Sequence, residues 1–278
     1  GPLPAPLFAN MPRLHSLIPM AKRPRGGHWW RLWRAVVGQN WDLVVDLRDS
    51  IVSRTVMAKK RLIFRALPDE AGRHKVDQFA EKLGLQMPLQ PRLWFTEEQD
   101  RAAREHMKPE LGPILAVGPA ANWAGKEWPM ARYQALIATL TAPDGILPGA
   151  RVAVSAAPNE RTQAIKAWEG VAEERRVDLM HNTDPAFAAA CLRYVSLYVG
   201  NDSGLMHLAA AAGAPTLGLF GPSRPALYRP WGAATAHVRT DEDFETLMPP
   251  GAPVDPTRCL MTGLPVARVV AAAENLLA

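Results

Sequence analysis

The chain has 278 residues, 48% of them hydrophobic and 21% charged, a balance that suits two folded domains of ordinary size and excludes a disordered chain. No apolar run approaches the roughly 20 residues needed to cross a bilayer, and two cysteines, Cys191 and Cys259, exclude a disulfide framework or a cysteine zinc site. The net charge of +5 is uneven, with 19 Lys/Arg against 12 Asp/Glu in residues 1–110 and 13 against 15 in the remainder.

A basic N-terminal half points to an anionic partner such as lipid phosphate, a membrane surface or nucleic acid, with a plain solvated surface as the alternative. The first residues carry no signal-peptide pattern, so the cytoplasm is the expected compartment. The opening Gly1-Pro2-Leu3-Pro4-Ala5-Pro6-Leu7-Phe8 is no way to begin a βαβ domain. It reads either as a chain whose leading segment is absent, the expectation here, or as a scar at Gly1-Pro2.

In chain order, residues 28–37 predict an amphipathic helix. The run Trp41-Asp42-Leu43-Val44-Val45-Asp46-Leu47 predicts a buried strand. Residues 75–84 and 97–108 have helical character, and Pro109, Gly112 and Pro113 then mark a linker. The expected domains are therefore 1–110 and 111–278. Beyond the linker, strands at 114–118, 151–155, 177–180, 197–200 and 215–220 alternate with helices at 129–140, 159–171, 185–193 and 203–212. Pro129 suits the first turn of its helix, and 264–277 reads as a closing helix. Strands alternating with helices of this length predict parallel βαβ units and a doubly wound α/β sheet.

Three loops at one edge of that sheet carry the chemistry. In Gly200-Asn201-Asp202-Ser203-Gly204-Leu205-Met206-His207 a strand ends and a helix begins, so unpaired N–H groups and the positive end of the helix dipole face a ligand. Gly204 lets a ligand approach the backbone, and Ser203 and His207 share a helical face. This is a diphosphate cradle, although Asp202 alone also reads as an N-cap and His207 as a packed helix residue. In Gly118-Pro119-Ala120-Ala121-Asn122-Trp123-Ala124-Gly125-Lys126-Glu127-Trp128-Pro129, Lys126 can reach a phosphate as a point charge and Asn122 can donate to its oxygens. A solvated loop lysine is the alternative. After the next strand, Glu160 reads as a ribose-binding carboxylate or as a first-turn acid favoured by the dipole. The turn Gly221-Pro222-Ser223-Arg224-Pro225 is either a wall of the same pocket or a tight structural loop. In the N-terminal half, Arg13, Lys22, Arg23, Arg25, Arg31 and Arg34 are interleaved with Trp29, Trp30 and Trp33. That mixture suits a membrane interface or a phosphorylated acceptor, and some of these tryptophans also read as core.

These motifs resemble glycosyltransferase family 9, the ADP-heptose:lipopolysaccharide heptosyltransferases. The resemblance rests on Asn201-Asp202-Ser203-Gly204-Leu205-Met206-His207 with Leu219-Phe220-Gly221-Pro222, on Lys126-Glu127-Trp128-Pro129 and on Trp41 to Arg48. It implies a GT-B fold of two Rossmann-like domains facing a cleft, the N-terminal one incomplete here. It also implies inverting transfer of a heptose or related sugar from an ADP-sugar to a lipopolysaccharide core or other lipid-linked acceptor, peripherally at the inner face of the inner membrane. By position, Lys126, Ser203, Gly204 and Leu205 would hold the donor diphosphate, with Asp202 beside the sugar. His207 and Asn122 would lie near the phosphates and Glu160 at the ribose. Lys126 and Asp202 would serve catalysis, and Arg23, Arg25, Trp29, Trp30 and Arg31 would face the acceptor or membrane. No metal or cofactor is required by this scheme, and no nucleic acid is expected. The family's first βαβ unit, with a Gly-Asp pair whose Asp is the presumed base, has no counterpart in the sequence, and neither Asp46 nor Asp49 is nominated in its place. A truncated or degenerate member that binds a nucleotide sugar without catalysis is the competing reading. A sugar epimerase would need further acid/base residues.

Overall fold

The computed structural model describes residues 1–64, 72–86 and 89–278. The chain divides into two compact units, Gly1–Leu89 and Gln90–Ala278, about twenty residues earlier than the expected 110/111 boundary. The helix Glu97–Met107 accounts for the difference, because it packs on the helix Pro185–Leu192 of the second unit. Its start is fixed by a capping box, in which Thr96 Oγ1 accepts from the Gln99 N–H at 3.1 Å and Gln99 Oε1 accepts from the Thr96 N–H at 3.0 Å.

In the first unit, β1 (Asn40–Asp46) pairs in parallel with β2 (Met57–Ile63), from Asn40 opposite Met57 to Asp46 opposite Ile63. The helix Gly27–Val36 precedes them, and the Trp41 indole N–H donates to Val36 O at 3.0 Å, tying the helix end to the strand start. The strand at 41–47 forms but is not buried, with Leu43 48% and Val45 45% exposed. A continuous apolar run reads as buried because parallel strands are ordinarily covered on both faces. Among the described residues β1 pairs with β2 alone, and they leave Leu43 and Val45 uncovered.

The second unit holds six parallel strands: β3 (Ile114–Gly118), β4 (Arg151–Val154), β5 (Arg176–Asp178), β6 (Leu197–Asn201), β7 (Thr216–Phe220) and β8 (Thr235–Arg239). Their order is β5-β4-β3-β6-β7-β8, a doubly wound sheet whose direction of winding reverses between β3 and β6. One side packs Leu115, Val117, Val152, Val154, Leu197, Val199, Leu217 and Leu219 into the core, with Tyr133, Leu136 and Leu140 from the helix Met130–Leu140 and Val269 and Ala273 from the helix Val266–Leu277. The helices Pro185–Leu192 and Gly204–Ala212 pack on each other, and the second also on β6 and β7. Strand β8 and the short helices Pro225–Tyr228 and Phe244–Leu247 are additions to the sequence reading. The helix expected over 159–171 is instead broken into 3₁₀ turns at Pro158–Glu160 and Ile165–Trp168 around the short helix Arg161–Ala164. Pro129 precedes the helix Met130–Leu140 as its N-cap and is not part of its first turn.

Candidate functional site

At the carboxyl ends of β3 and β6 the chain leaves two adjacent strands on opposite windings, the position where open α/β sheets bind ligands. From β3 it runs through the loop 119–129. From β6 it turns at Asp202 into the helix Gly204–Ala212, with Ser203 at the N-cap but making no side-chain cap hydrogen bond. The first-turn N–H groups are therefore free of a side-chain cap. A Cβ at Gly204 would meet no protein atom within 4 Å, so the bare Cα faces open space, as close approach of a ligand to the backbone requires.

Across this junction Lys126 Nζ donates to Asp202 Oδ2 at 2.6 Å. The Asp202 side chain is 7% exposed and that of Lys126 22%, so each charge has lost most of its water and depends on its partner. This excludes the solvated-lysine alternative, and it excludes Asp202 as the N-cap, since Ser203 holds that position. His207 Nε2 lies 3.9 Å from Asp202 Oδ1, beyond hydrogen-bond reach. Although its side chain is 44% exposed, the His207 ring sits close enough to protein for partial burial to lower its pKa, with Asp202 acting against that and the Lys126 charge in the same sense. The ring is therefore neutral at pH 7.

The residue that sets this geometry is Asn201, fully buried at the end of β6. Its Oδ1 accepts from the Trp128 N–H at 3.1 Å and the Tyr133 hydroxyl at 3.0 Å, while its Nδ2 donates to Pro119 O at 2.8 Å. Both ends of the Lys126 loop are thus pinned to the strand that carries Asp202. From the other side the Trp128 indole donates to Leu264 O at 2.9 Å, Cys259 Sγ to Glu127 O at 3.2 Å and the Leu260 N–H to Gly125 O at 3.2 Å. The sequence reading assigned no role to Asn201, Tyr133 or the 259–264 segment. Asn201 was visible as a polar residue at the end of an otherwise apolar strand, whereas the 259–264 brace has no local signal.

The other expected site residues are placed as follows. Leu205 lies in the first turn of the helix Gly204–Ala212, and Asn122 is exposed on the β3 loop. Glu160 Oε2 accepts from the Ala157 N–H at 2.9 Å, so one oxygen of this carboxylate caps its own turn, in keeping with the terminus-acid alternative. In the turn after β7, Arg224 pairs with Glu245 at 2.9 Å and lies 4.3 Å from the Phe244 ring centre, as a structural loop would.

In the first unit, Arg23, Arg25 and Arg31 are exposed, and Trp30 is 59% exposed with its ring stacked on Trp33 at 4.8 Å. Trp29, half-buried, instead lines a groove of about 820 Å³ with Leu32, Val36, Trp41 and Val44. Asp46 accepts from the N–H groups of Arg48 at 2.9 Å and Ser50 at 2.7 Å and from the Ser50 hydroxyl at 2.7 Å. Burial raises its pKa, but hydrogen bonds from Ser53, Ser50 and the Arg48 backbone outweigh that, and the net shift is downward. Asp49 is ion-paired with Arg54. Among the described residues no group of three or more His, Cys, Asp or Glu is gathered to hold a metal ion, and no helix is long and apolar enough to cross a membrane.

Residues 61–247 match the sequence model of glycosyltransferase family 9 (heptosyltransferase). The chain belongs to this family. It is 27% identical over 273 residues to lipopolysaccharide heptosyltransferase 1 of Pseudomonas aeruginosa, covering 84% of this chain and 73% of that protein. Its fold is similar to that of Escherichia coli ADP-heptose LPS heptosyltransferase II, with a TM-score of 0.74 and 20% identity over 99% of this chain and 87% of that one. An E. coli heptosyltransferase solved with ADP gives a TM-score of 0.63 and 20% identity over 92% of this chain and 79% of that one. The protein is thus a family 9 glycosyltransferase, α/β with parallel sheets and of the GT-B type.

Proposed function

We propose that this family 9 glycosyltransferase transfers a heptose or related sugar, with inversion, from an ADP-sugar to a lipopolysaccharide core or other lipid-linked acceptor. The observation that carries the proposal is the Lys126–Asp202 pair at the mouth of the uncapped helix Gly204–Ala212. Attack by an acceptor hydroxyl on the anomeric carbon forms the new glycosidic bond and breaks the bond to the diphosphate, whose oxygen leaves with the electron pair, while the hydroxyl proton passes to water. The negative charge that develops is met by the first-turn N–H groups and by the Lys126 ammonium. When Lys126 turns to the diphosphate, Asp202 is released to accept from a sugar hydroxyl. Asn122 and neutral His207 donate near the phosphates, and the free oxygen of Glu160 faces the ribose. Neither Asp46, held by its own turn, nor Asp49, paired with Arg54, is assigned the acceptor proton.

The donor scheme draws support from the E. coli relative solved with ADP. The acceptor scheme draws support from the Pseudomonas relative's name and from this chain's exposed Arg23, Arg25, Trp30 and Arg31. The working place that follows is the cytoplasmic face of the inner membrane, held peripherally. Calorimetric titration with ADP, ADP-heptose and a UDP-sugar, on the native sequence and on Lys126→Ala, tests the donor assignment. ADP ligands are expected to bind selectively and to lose about 1–3 kcal/mol in the variant, the range for a hydrogen bond to a charged group. Folded protein that binds no nucleotide would overturn the proposal. ADP-heptose binding without sugar transfer to any lipid-linked acceptor would favour a member that binds donor without catalysis.

A further inference from the structure

Beneath the Lys126–Asp202 pair lies a polar group that the scheme above does not use. Tyr198, the second residue of β6, is fully buried, and its ring leans toward the carboxyl end of the strand, against the positions of Gly118 and Gly200. Two glycines make room for it. A Cβ at Gly118, at the end of β3, would lie 2.0 Å from the Tyr198 hydroxyl oxygen, and a Cβ at Gly200 would lie 2.7 Å from it. Sheet centres of this kind are normally filled by apolar side chains. Here two adjacent strand ends are stripped of side chains so that a phenol can reach the edge where the ligand loops begin.

Tyr198 Oη and the buried Ser203 Oγ form no hydrogen bond of full geometry, yet the Ser155 and Ser203 hydroxyls lie close enough for their hydrogen bonding to the phenol to lower its pKa against burial, and Glu160 is close enough for its charge to be felt. A buried hydroxyl without a partner is costly, and a phenylalanine of the same shape would avoid that cost. Burial also raises the Tyr198 pKa, so the group remains a protonated donor. Ser203, for its part, stands at a helix N-cap without capping the helix, which leaves its buried hydroxyl free of any backbone bond and beside the phenol.

We propose that Tyr198 is a positioning residue of the donor site, its hydroxyl donating to Ser203 Oγ so that the Ser203 proton points at the bound diphosphate. The proposal rests on the reading of this turn as the diphosphate site. It makes the two orphaned hydroxyls a relay completed by the anion: phenol to serine, serine to phosphate. Tyr198 lies on the strand itself and touches no ligand directly.

The test is ADP titration by calorimetry with thermal unfolding of the free protein, on the native sequence, Tyr198→Phe, Ser203→Ala and the double variant. Tyr198→Phe is expected to weaken ADP binding about three- to tenfold, the worth of one neutral hydrogen bond, while the unliganded protein melts at an unchanged or higher temperature. Ser203→Ala is expected to weaken binding comparably, and the double variant to lose no more than the weaker-binding single one. A residue that merely packs would instead lose melting temperature and affinity together, and that result would overturn the proposal. So would Tyr198→Phe binding ADP as tightly as the native sequence, or losses that add in the double variant. A native protein that is folded but binds no ADP overturns the donor-site reading itself and this assignment with it.

Discussion

Asn201 carries two functions in one side chain, and its chemistry explains why neither neighbour of asparagine would serve. It must accept twice, from the Trp128 N–H and the Tyr133 hydroxyl, and donate once, to Pro119 O. An aspartate would accept but bring an unpaired charge beside Asp202, and a leucine would do neither. Asn201→Ala leaves the Trp128 N–H and Pro119 O buried without partners and is expected to cost about 2–4 kcal/mol in urea unfolding, one or two unsatisfied buried groups. ADP affinity should fall as well, because Lys126 is no longer held over Asp202. Normal stability in Asn201→Ala would show that the loop is held by the 259–264 brace alone. At this scale the sequence exposed the charges but not their partners. Lys126 and Asp202 stood out as polar residues on loops leaving strands, yet 76 positions separate the two ends of their ion pair. Nothing local says that they touch, or that Asn201 ties the loops together.

Whole elements were more legible where their periodicity was repeated by packing. The strands at β3, β4, β6 and β7 and the helices between them came through because short apolar runs alternated with helix-length segments, and a parallel sheet buries such runs on both faces. Two elements went astray for opposite reasons. Over 159–171 the pattern suited a helix, but Pro158 and the Glu160 cap start a 3₁₀ turn, and the chain tightens again at Ile165–Trp168, where the buried Trp168 indole donates to Val152 O at 2.9 Å. In β1 the apolar run was right for a strand and wrong for its burial. The helix Gly27–Val36 behaves as its pattern predicts, with Trp30 and Arg31 outward and Trp29 against the groove. No acidic residue precedes Asp42 in the sequence, so nothing nearby in the chain offsets Lys22, Arg23, Arg25, Arg31 and Arg34. Such a surface is expected to bind vesicles containing anionic lipid and to leave neutral ones, with binding that weakens as salt rises. Replacing Trp30 by Ala and Arg31 by Glu should reduce co-sedimentation about tenfold or more, since both the apolar anchor and a charge are lost. Equal binding to neutral and anionic vesicles would remove the electrostatic part of this argument.

For the second unit as a whole, three histidines with lowered pKa, His106 half-buried and His207 and His237 exposed at the surface, set the response to pH. The pKa of His106 is lowered by burial and by its stacked neighbour His181, against a hydrogen bond at 2.8 Å to Asp178 O. His237 is exposed, yet partial burial lowers its pKa too, aided by Arg229 and Arg239, as it does for His207. The sign follows from proton counting. Around their ordinary pKa of 6.5, the unfolded chain takes up protons on all three rings before the native fold does. Lowering the pH therefore draws the equilibrium toward the unfolded chain. The stability these histidines contribute is full above about pH 6.5 and is lost as the pH falls below it. Asp178 adds a separate, lower window. Burial opposes its ionisation, but its bonds to Arg161 and the Met180 N–H lower its pKa, so its contribution is lost only as the pH falls below the ordinary aspartate value of 3.8. The urea midpoint should thus hold steady from about pH 8 to 7 and decline between about 6.5 and 5. His106→Gln should flatten part of that decline whatever it does to the midpoint at pH 8, because one of the three proton acceptors is gone. A midpoint independent of pH down to 5 would mean that these rings take up protons in the native fold as readily as in the unfolded chain. The neutral His207 assigned to the donor site would then be wrong along with the stability argument.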